Sequence, residues 1–151
     1  MKLNIANELR SPGKAGECAL RSQFDGFEFA GRRIEFAAPV TVKARYVYDG
    51  IGIDVRGSIE TAFVSVCARC GEEFTEPFEA NFSERFVKSA EDCRDDCYMF
   101  STDVIDLSDM VIDNILLNMP IAGTCSEDCK GICGVCGINL NTGQCSCSNG
   151  G

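Results

Sequence analysis

The sequence predicts an α+β fold: an antiparallel β-sheet with one packing α-helix and a C-terminal zinc-binding, cysteine-rich tail. Three observations carry that expectation. Residues 40–66 alternate apolar and polar side chains around an Asp-Gly turn, residues 106–119 present a wide apolar face closed by Pro120, and eleven cysteines occur with no histidine. A chain of 151 residues suits one domain with a small appendage, so the reading places a core domain at 1–122 and a zinc-stapled tail packed on it at 123–151.

The N-terminal stretch, residues 1–38, is weakly patterned. Phe24, Phe27, Phe29, Ile34 and Phe36 alternate loosely with polar residues, which allows one or two short strands. After Pro39, Val40 to Tyr48 is rich in β-branched and aromatic residues at period two, and Asp49-Gly50 is a strong hairpin signal. The return strand runs from Ile51 to Val66. Its apolar phase reads Ile51, Ile53, Val55 at first and Ala62, Val64, Val66 later, so a phase switch is expected, with a bulge at Gly57. Phe74, Phe78, Phe82 and Phe86 form a third strand, because Pro77 disfavours a helix interior and good helix formers are scarce. Residues 88–101 read as an exposed acidic loop. A helix then opens with Asp106 as N-cap, carries Leu107, Met110, Val111 and Ile115 on its apolar face, and stops at Pro120.

From Gly123 onward the composition changes: six cysteines and seven glycines fall in the last 29 residues. Such a segment has too little apolar surface to fold by packing alone, and a metal is the natural substitute. The sequence holds two Cys-x-x-Cys-Gly segments, Cys67-Ala-Arg-Cys70-Gly71 and Cys133-Gly-Val-Cys136-Gly137. A Cys-x-x-Cys turn sets two sulfurs along one tetrahedral edge, and glycine after the second cysteine accepts the positive φ there. Without histidine, a thiolate zinc site must be all-cysteine. Cys145-Ser-Cys147 lies eight residues beyond Cys136, across the turn-rich Asn139-Leu-Asn-Thr-Gly143. Cys133, Cys136, Cys145 and Cys147 are therefore expected to hold one zinc, and Cys67 and Cys70 with Cys125 and Cys129 a second. The competing arrangement joins the two Cys-x-x-Cys knuckles around one metal. An iron–sulfur cluster uses the same ligand set, and metal-free thiols are the plainer reading. Cys18, Cys93 and Cys97 are read as non-ligands, small apolar residues with free thiols, since an odd cysteine total and a reducing compartment argue against disulfides.

Charge is uneven. Residues 1–66 carry nine basic and eight acidic side chains, whereas residues 67–151 carry five basic and fifteen acidic ones, net −10. Four thiolates on one zinc add a charge of about −2 per site. The C-terminal half therefore repels phosphate backbones and favours a basic partner. Lys43 and Arg45 share one strand face, Arg56 lies on the neighbouring strand, and Arg32-Arg33 precede them; these five could form a modest RNA- or partner-facing patch, or simply a solvated sheet face. No apolar run approaches the roughly 18 residues of a membrane-spanning helix, and no secretory h-region precedes Gly16, so a cytoplasmic setting is expected. Absence of histidine removes the commonest general base, and with it most nucleophilic triads.

The internal Cys-x-Arg-Cys-Gly-type knuckle, the run "DLSDMVIDNILLNMP" and the run "CSEDCKGICGVCGINLNTGQCSC" together resemble the YceD-like family, described as large ribosomal RNA subunit accumulation proteins. The resemblance spans roughly residues 40–147. It implies a role in large-subunit ribosomal RNA accumulation, with no established enzymatic activity and with metal ligation at Cys67, Cys70, Cys125, Cys129, Cys133, Cys136, Cys145 and Cys147. The leading expectation is a non-enzymatic ribosome-biogenesis factor containing two Zn2+ ions, which contacts a ribosomal protein or pre-ribosomal particle and takes no small-molecule substrate. Its rivals are an RNA-binding module using Arg32, Arg33, Lys43, Arg45 and Arg56, and a thiol redox protein if the Cys-x-x-Cys pairs are metal-free.

Overall fold

The protein was analysed as a computed structural model, which describes residues 1–120 and 123–147. In chain order the elements are β1 (Lys2–Asn4), α1 (Ala6–Arg10), β2 (Ala15–Ser22), β3 (Phe27–Phe29), β4 (Arg32–Phe36), β5 (Val40–Tyr48), β6 (Gly52–Val66), β7 (Glu73–Val87), a 3-10 turn (Ala90–Asp92), β8 (Tyr98–Met99), β9 (Val104–Asp106) and α2 (Ser108–Asn118). The architecture is mostly antiparallel sheet with one main helix, an α+β fold. Only the short β7–β8 pair runs parallel among the registers seen, with Phe86 opposite Tyr98.

The chain divides into two compact units. The first comprises Met1–Phe24, Ala38–Thr61 and Phe78–Met119; the second comprises Asp25–Ala37, Ala62–Pro77 and the chain from Pro120. The cysteine-rich tail thus shares a unit with the end of β6 and the start of β7. Residues 121–122, where composition sets a boundary, and residues 148–151 lie outside the described residues.

In the first unit β2 pairs with β5 from Ala15↔Val47 to Ser22↔Val40, and β5 pairs with β6 from Thr41↔Glu60 to Tyr48↔Ile53. The Asp-Gly hairpin signal holds. The Asp49 carboxylate accepts the N–H groups of Ile51 and Gly52 at 2.9 Å each, and Gly50 takes φ +97° as the turn demands. Arg85 of β7 donates to Asp49 and Asp54 at 2.9 and 3.0 Å, fastening the hairpin end to the next strand. α2 buries Met110, Val111 and Ile115, and its Asn114 amide donates to Glu84 of β7 at 3.0 Å.

The structure corrects five sequence expectations. No bulge forms at Gly57, which sits in continuous register opposite Ala44. Glycine is required there for another reason: a Cβ would strike the Lys43 carbonyl oxygen and the Ala44 Cα. Nor does the apolar phase switch, since Ile53, Val55, Ile59 and Phe63 are all buried on one alternation. Val64 and Val66 lie on the other face, Val64 half-buried and Val66 61% exposed, so neither belongs to the core phase they mimic.

The main helix begins at Ser108, after β9 ends at Asp106. The Asp106 carboxylate still accepts the Ser108 N–H at 2.9 Å, but as an Asx-type turn one residue ahead of the cap. The N-terminal 38 residues hold more structure than their pattern suggests, including α1 and the eight-residue β2, which pairs along nearly all of β5. Finally, Cys93 and Cys97 form a disulfide rather than staying free, because the acidic loop folds back and sets their Cα atoms 5.8 Å apart. Cys18 remains a free, half-buried thiol, and burial pushes its pKa up.

In the second unit β3 and β4 form a hairpin whose two-residue turn, Ala30-Gly31, has both φ angles positive at 51° and 75°, a type I′ signature. β4 pairs with β6 at Phe36↔Phe63, and the Phe36 and Phe63 rings lie 5.2 Å apart. Beyond these aromatics the buried residues are largely sulfur. Cys67, Cys70 and Cys129 form their own buried cluster, with Phe74 packed against it.

Candidate metal centres

Two backbone knuckles of identical form present the cysteines. At the first, the Cys67 N–H donates to Glu72 O (2.8 Å), the Gly71 N–H donates to Cys67 O (3.0 Å), and Gly71 has φ +75°. At the second, the Cys133 N–H donates to Ile138 O (2.9 Å), the Gly137 N–H donates to Cys133 O (2.9 Å), and Gly137 has φ +75°. The glycine after the second cysteine is the residue that adopts the left-handed conformation without a Cβ penalty, as the sequence predicts. Each knuckle turns its intervening N–H groups toward its first sulfur; Val135 N, for example, lies 3.4 Å from Cys133 Sγ.

Each knuckle meets a different second pair. Cys67, Cys70, Cys125 and Cys129 form one group and Cys133, Cys136, Cys145 and Cys147 the other, with the four sulfurs of each group all within 4.8 Å of one another. The crossed arrangement, with both knuckles around one point, does not occur. In the first group Cys67 Sγ lies 3.6 Å from Cys129 Sγ, and Cys70 Sγ lies 3.7 Å from Cys125 Sγ. In the second, Cys136 Sγ lies 3.6 Å and Cys133 Sγ 3.2 Å from Cys145 Sγ. Sulfurs bound about 2.3 Å from a tetrahedral zinc stand about 3.8 Å apart, so these spacings fit a divalent ion at each centre.

The electrostatics point the same way. The Cys67 thiol is drawn down to about 6, foremost by the Cys70 N–H, with the Cys125 and Arg69 N–H groups assisting. Cys133 is also drawn down to about 6, foremost by the Cys136 N–H and then by that of Val135. Cys125 and Cys145 are pushed up to about 12, foremost by the neighbouring Cys129 and Cys133 sulfurs respectively. Four thiolates this close cannot all ionise without a cation among them, a charge that a bound divalent metal would supply.

Supporting groups orient the ligands. The Ala68 N–H donates to Gly123 O at 2.9 Å, joining the first knuckle to the chain just before Cys125. Arg69 donates to the Cys129 carbonyl at 3.2 Å, and the Asn141 side-chain amide donates to Cys129 Sγ at 3.4 Å, which lowers the Cys129 pKa. Sequence reasoning missed Asn141. It lies in the Asn139–Gly143 connector, which reads as turn chemistry alone, and nothing in its spacing marks it as a donor to sulfur.

A family model described as large ribosomal RNA subunit accumulation protein YceD matches residues 55–150, which takes in both cysteine groups. The chain belongs to the YceD family. An uncharacterized protein of Mycobacterium tuberculosis (strain H37Rv) is 31% identical over 94 residues, covering 59% of this chain and 45% of its own length. An uncharacterized protein of Mycobacterium leprae is 27% identical over 112 residues, covering 71% of this chain and 52% of its own. The large ribosomal RNA subunit accumulation protein YCED homolog 1, chloroplastic, of Arabidopsis thaliana is 27% identical over 140 residues, covering 72% of this chain and 44% of its own. The chain thus spans about half the length of these relatives. No solved structure matches it.

The basic residues singled out from sequence fall in both units of this YceD-family chain. In the first, Arg45 lies directly opposite Arg56 and also opposite Glu17, and Lys43 makes an ion pair with Glu60 at 3.6 Å. In the second, Arg33 pairs with Glu35 at 3.5 Å, and Arg32 and Arg33 line a cavity of about 470 Å3 with Ser65 and Glu76. Among the described residues, no helix is long and apolar enough to cross a membrane.

Proposed function

We propose that this chain is a non-enzymatic, cytoplasmic factor in large-subunit ribosomal RNA accumulation, whose eight clustered cysteines hold two structural zinc ions. The observation that carries the reading is the family match over residues 55–150, because it includes both four-sulfur groups as well as the main helix. Zinc suits the donor set, four thiolates with no carboxylate or imidazole, and sulfurs all within 4.8 Å of one another favour one tetrahedral ion over a cluster. Both Cys-x-x-Cys pairs are absorbed into four-sulfur groups, which argues against a free redox dithiol.

The direct partner is a basic ribosomal protein or a pre-ribosomal particle. Residues 67–151 carry net −10, and thiolate-bound zinc deepens that charge, so a cationic protein surface is complementary where bare RNA is not. Depletion of the chain in its own cell is expected to lower large-subunit relative to small-subunit ribosomal RNA; an unchanged ratio overturns the proposal. Direct binding assays with purified ribosomal proteins and with bare ribosomal RNA assign the contact. Tight binding to RNA that is lost on Arg45→Ala and Arg56→Ala would move the interface to the basic strand face.

A further inference from the structure

We propose that Asn141 couples the two cysteine centres: the loop closed by the second centre positions this side chain to support the first. The coupling rests on the reading that both centres bind metal. Asn141 belongs by sequence to the second centre, lying between Cys136 and Cys145, yet it acts on a sulfur of the first. Its Nδ2 lies 3.4 Å from Cys129 Sγ, while its Oδ1 accepts the Lys130 N–H at 2.9 Å. The Lys130 donor fixes which end of the amide faces the sulfur, leaving the NH2 aimed at Cys129.

The loop is also bridged to the chain after Cys129, Ile132 pairing with Asn139. The Asn141 N–H donates to Asn139 Oδ1 at 2.9 Å, the Gly143 N–H to Asn139 O at 3.0 Å, and the Leu140 N–H to Gly131 O at 2.9 Å. These bonds shape a tight turn, but its two ends are gathered by Cys136 and Cys145, whose sulfurs meet at 3.6 Å. Bringing those ligands to one ion therefore tightens the turn, and the turn holds the amide against Cys129.

The two centres also differ in how far apart their ligands lie in the chain. The second gathers residues 133–147, whereas the first joins Cys67 and Cys70 to Cys125 and Cys129 from beyond the intervening strands and helix. The first centre thus depends on two segments far apart in sequence, and a pre-set donor to one of its sulfurs supports their meeting. Such coupling is reciprocal: loading the first centre must favour the second by the same factor.

The test uses the full chain titrated with Co2+ and with Zn2+ against a competing chelator. The amide signals of Gly71 and Gly137 report the two centres separately. Asn141→Asp keeps an acceptor for Lys130 but places a carboxylate where the donor to Cys129 stands. Its expected effect is a loss of affinity of about tenfold or more at the first centre when the second is loaded, and by reciprocity the same loss at the second centre when the first is loaded. In a Cys145→Ser, Cys147→Ser background the first centre should weaken by a similar factor, and adding Asn141→Asp should cost nothing further. Conversely, Cys67→Ser with Cys70→Ser should weaken the second centre by that factor in the native chain and leave it unaffected once Asn141 is Asp. Full additivity of Asn141→Asp with either cysteine pair, or no loss at either centre in Asn141→Asp, overturns the coupling. Failure of the native chain to bind either metal overturns the metal reading itself, and the coupling with it.

Discussion

In the first unit the residues shut off from solvent are apolar apart from Asn114, with Ile59, Phe86, Met110 and Ile115 all at or near zero exposure. In the second unit Phe63 and Ile34 are buried, but Cys67, Cys70, Cys129 and Cys133 make up much of the remainder. The first opposes chain entropy by apolar burial. The second gathers sulfur instead, and sulfurs at these spacings repel once ionised. One chain thus uses two different means of stabilisation, and the difference predicts which perturbation each unit will resist.

The strongest way to break the comparison is metal removal. Chelation under reducing conditions is expected to abolish hydrogen-exchange protection at the two knuckles, where Gly71 and Gly137 N–H groups donate to Cys67 and Cys133 carbonyls. Protection along β5 and α2 should survive. Uniform loss across the chain would mean that the first unit has no independent core. Elemental analysis of the untreated protein should return two zinc ions per chain, and one or none would remove the premise.

The reverse perturbation is smaller. Phe86→Ala deletes a ring that is 1% exposed in the first unit and stacks 5.3 Å from Tyr98. A loss of about 3–5 kcal/mol is expected in denaturant unfolding of that unit, with metal content unchanged. Loss of metal along with stability would show that the two means are not separable.

The part of this arrangement that the sequence made legible was the part with short-range chemistry. Cys-x-x-Cys-Gly announces its own turn, and eight residues between Cys136 and Cys145 are enough to return the chain, so the grouping of Cys133, Cys136, Cys145 and Cys147 could be read from spacing, whereas Cys125 and Cys129 fell to Cys67 and Cys70 only as the remaining pair. The Asp49-Gly50 hairpin and the Pro120 stop were legible for the same reason. What stayed hidden depends on partners distant in sequence. β2 looks patternless because its outer residues are polar and its partner β5 lies some twenty residues on. Gly57 suggests a bulge until Lys43 and Ala44 are seen opposite it, and Val66 looks like core until Phe63 is seen to hold that role. The Cys93–Cys97 pairing was obscured because a cysteine count takes no account of how an acidic loop folds back. Asn141 was invisible because a turn residue and a donor to sulfur look alike in sequence.

Gly57 offers a finer test. Gly57→Ala forces a methyl against the Lys43 carbonyl in the middle of the β5–β6 ladder. It is expected to cost roughly 1–3 kcal/mol in the first unit and to leave the Gly71 and Gly137 amide signals in place. A neutral result would restore the bulge, since a bulged backbone would have moved away from Lys43.

The smallest expected effect is electrostatic and concerns Asp49. Its carboxyl is held down at about 2, foremost by the Gly52 N–H, with the Ile51 N–H and Arg85 also favouring the ionised form against a modest cost of burial. A carboxylate whose folded pKa is depressed contributes stability above its unfolded value, and loses that contribution as pH falls through the folded one. The window therefore runs from about pH 4 down to about 2. Because the side chain is 45% exposed and its partners are solvated, the contribution is about 1 kcal/mol or less. Acid also protonates the cysteines, so the measurement belongs on metal-free protein, where the first unit is expected to stand alone. Asn at position 49 keeps an oxygen for the Ile51 and Gly52 N–H groups but cannot ionise. In Asp49→Asn, protection of the Gly52 amide should lose its dependence on pH between 4 and 2, while the native chain should show protection falling across that range. A native hairpin equally protected at both ends of the window would mean that geometry, not charge, holds this turn.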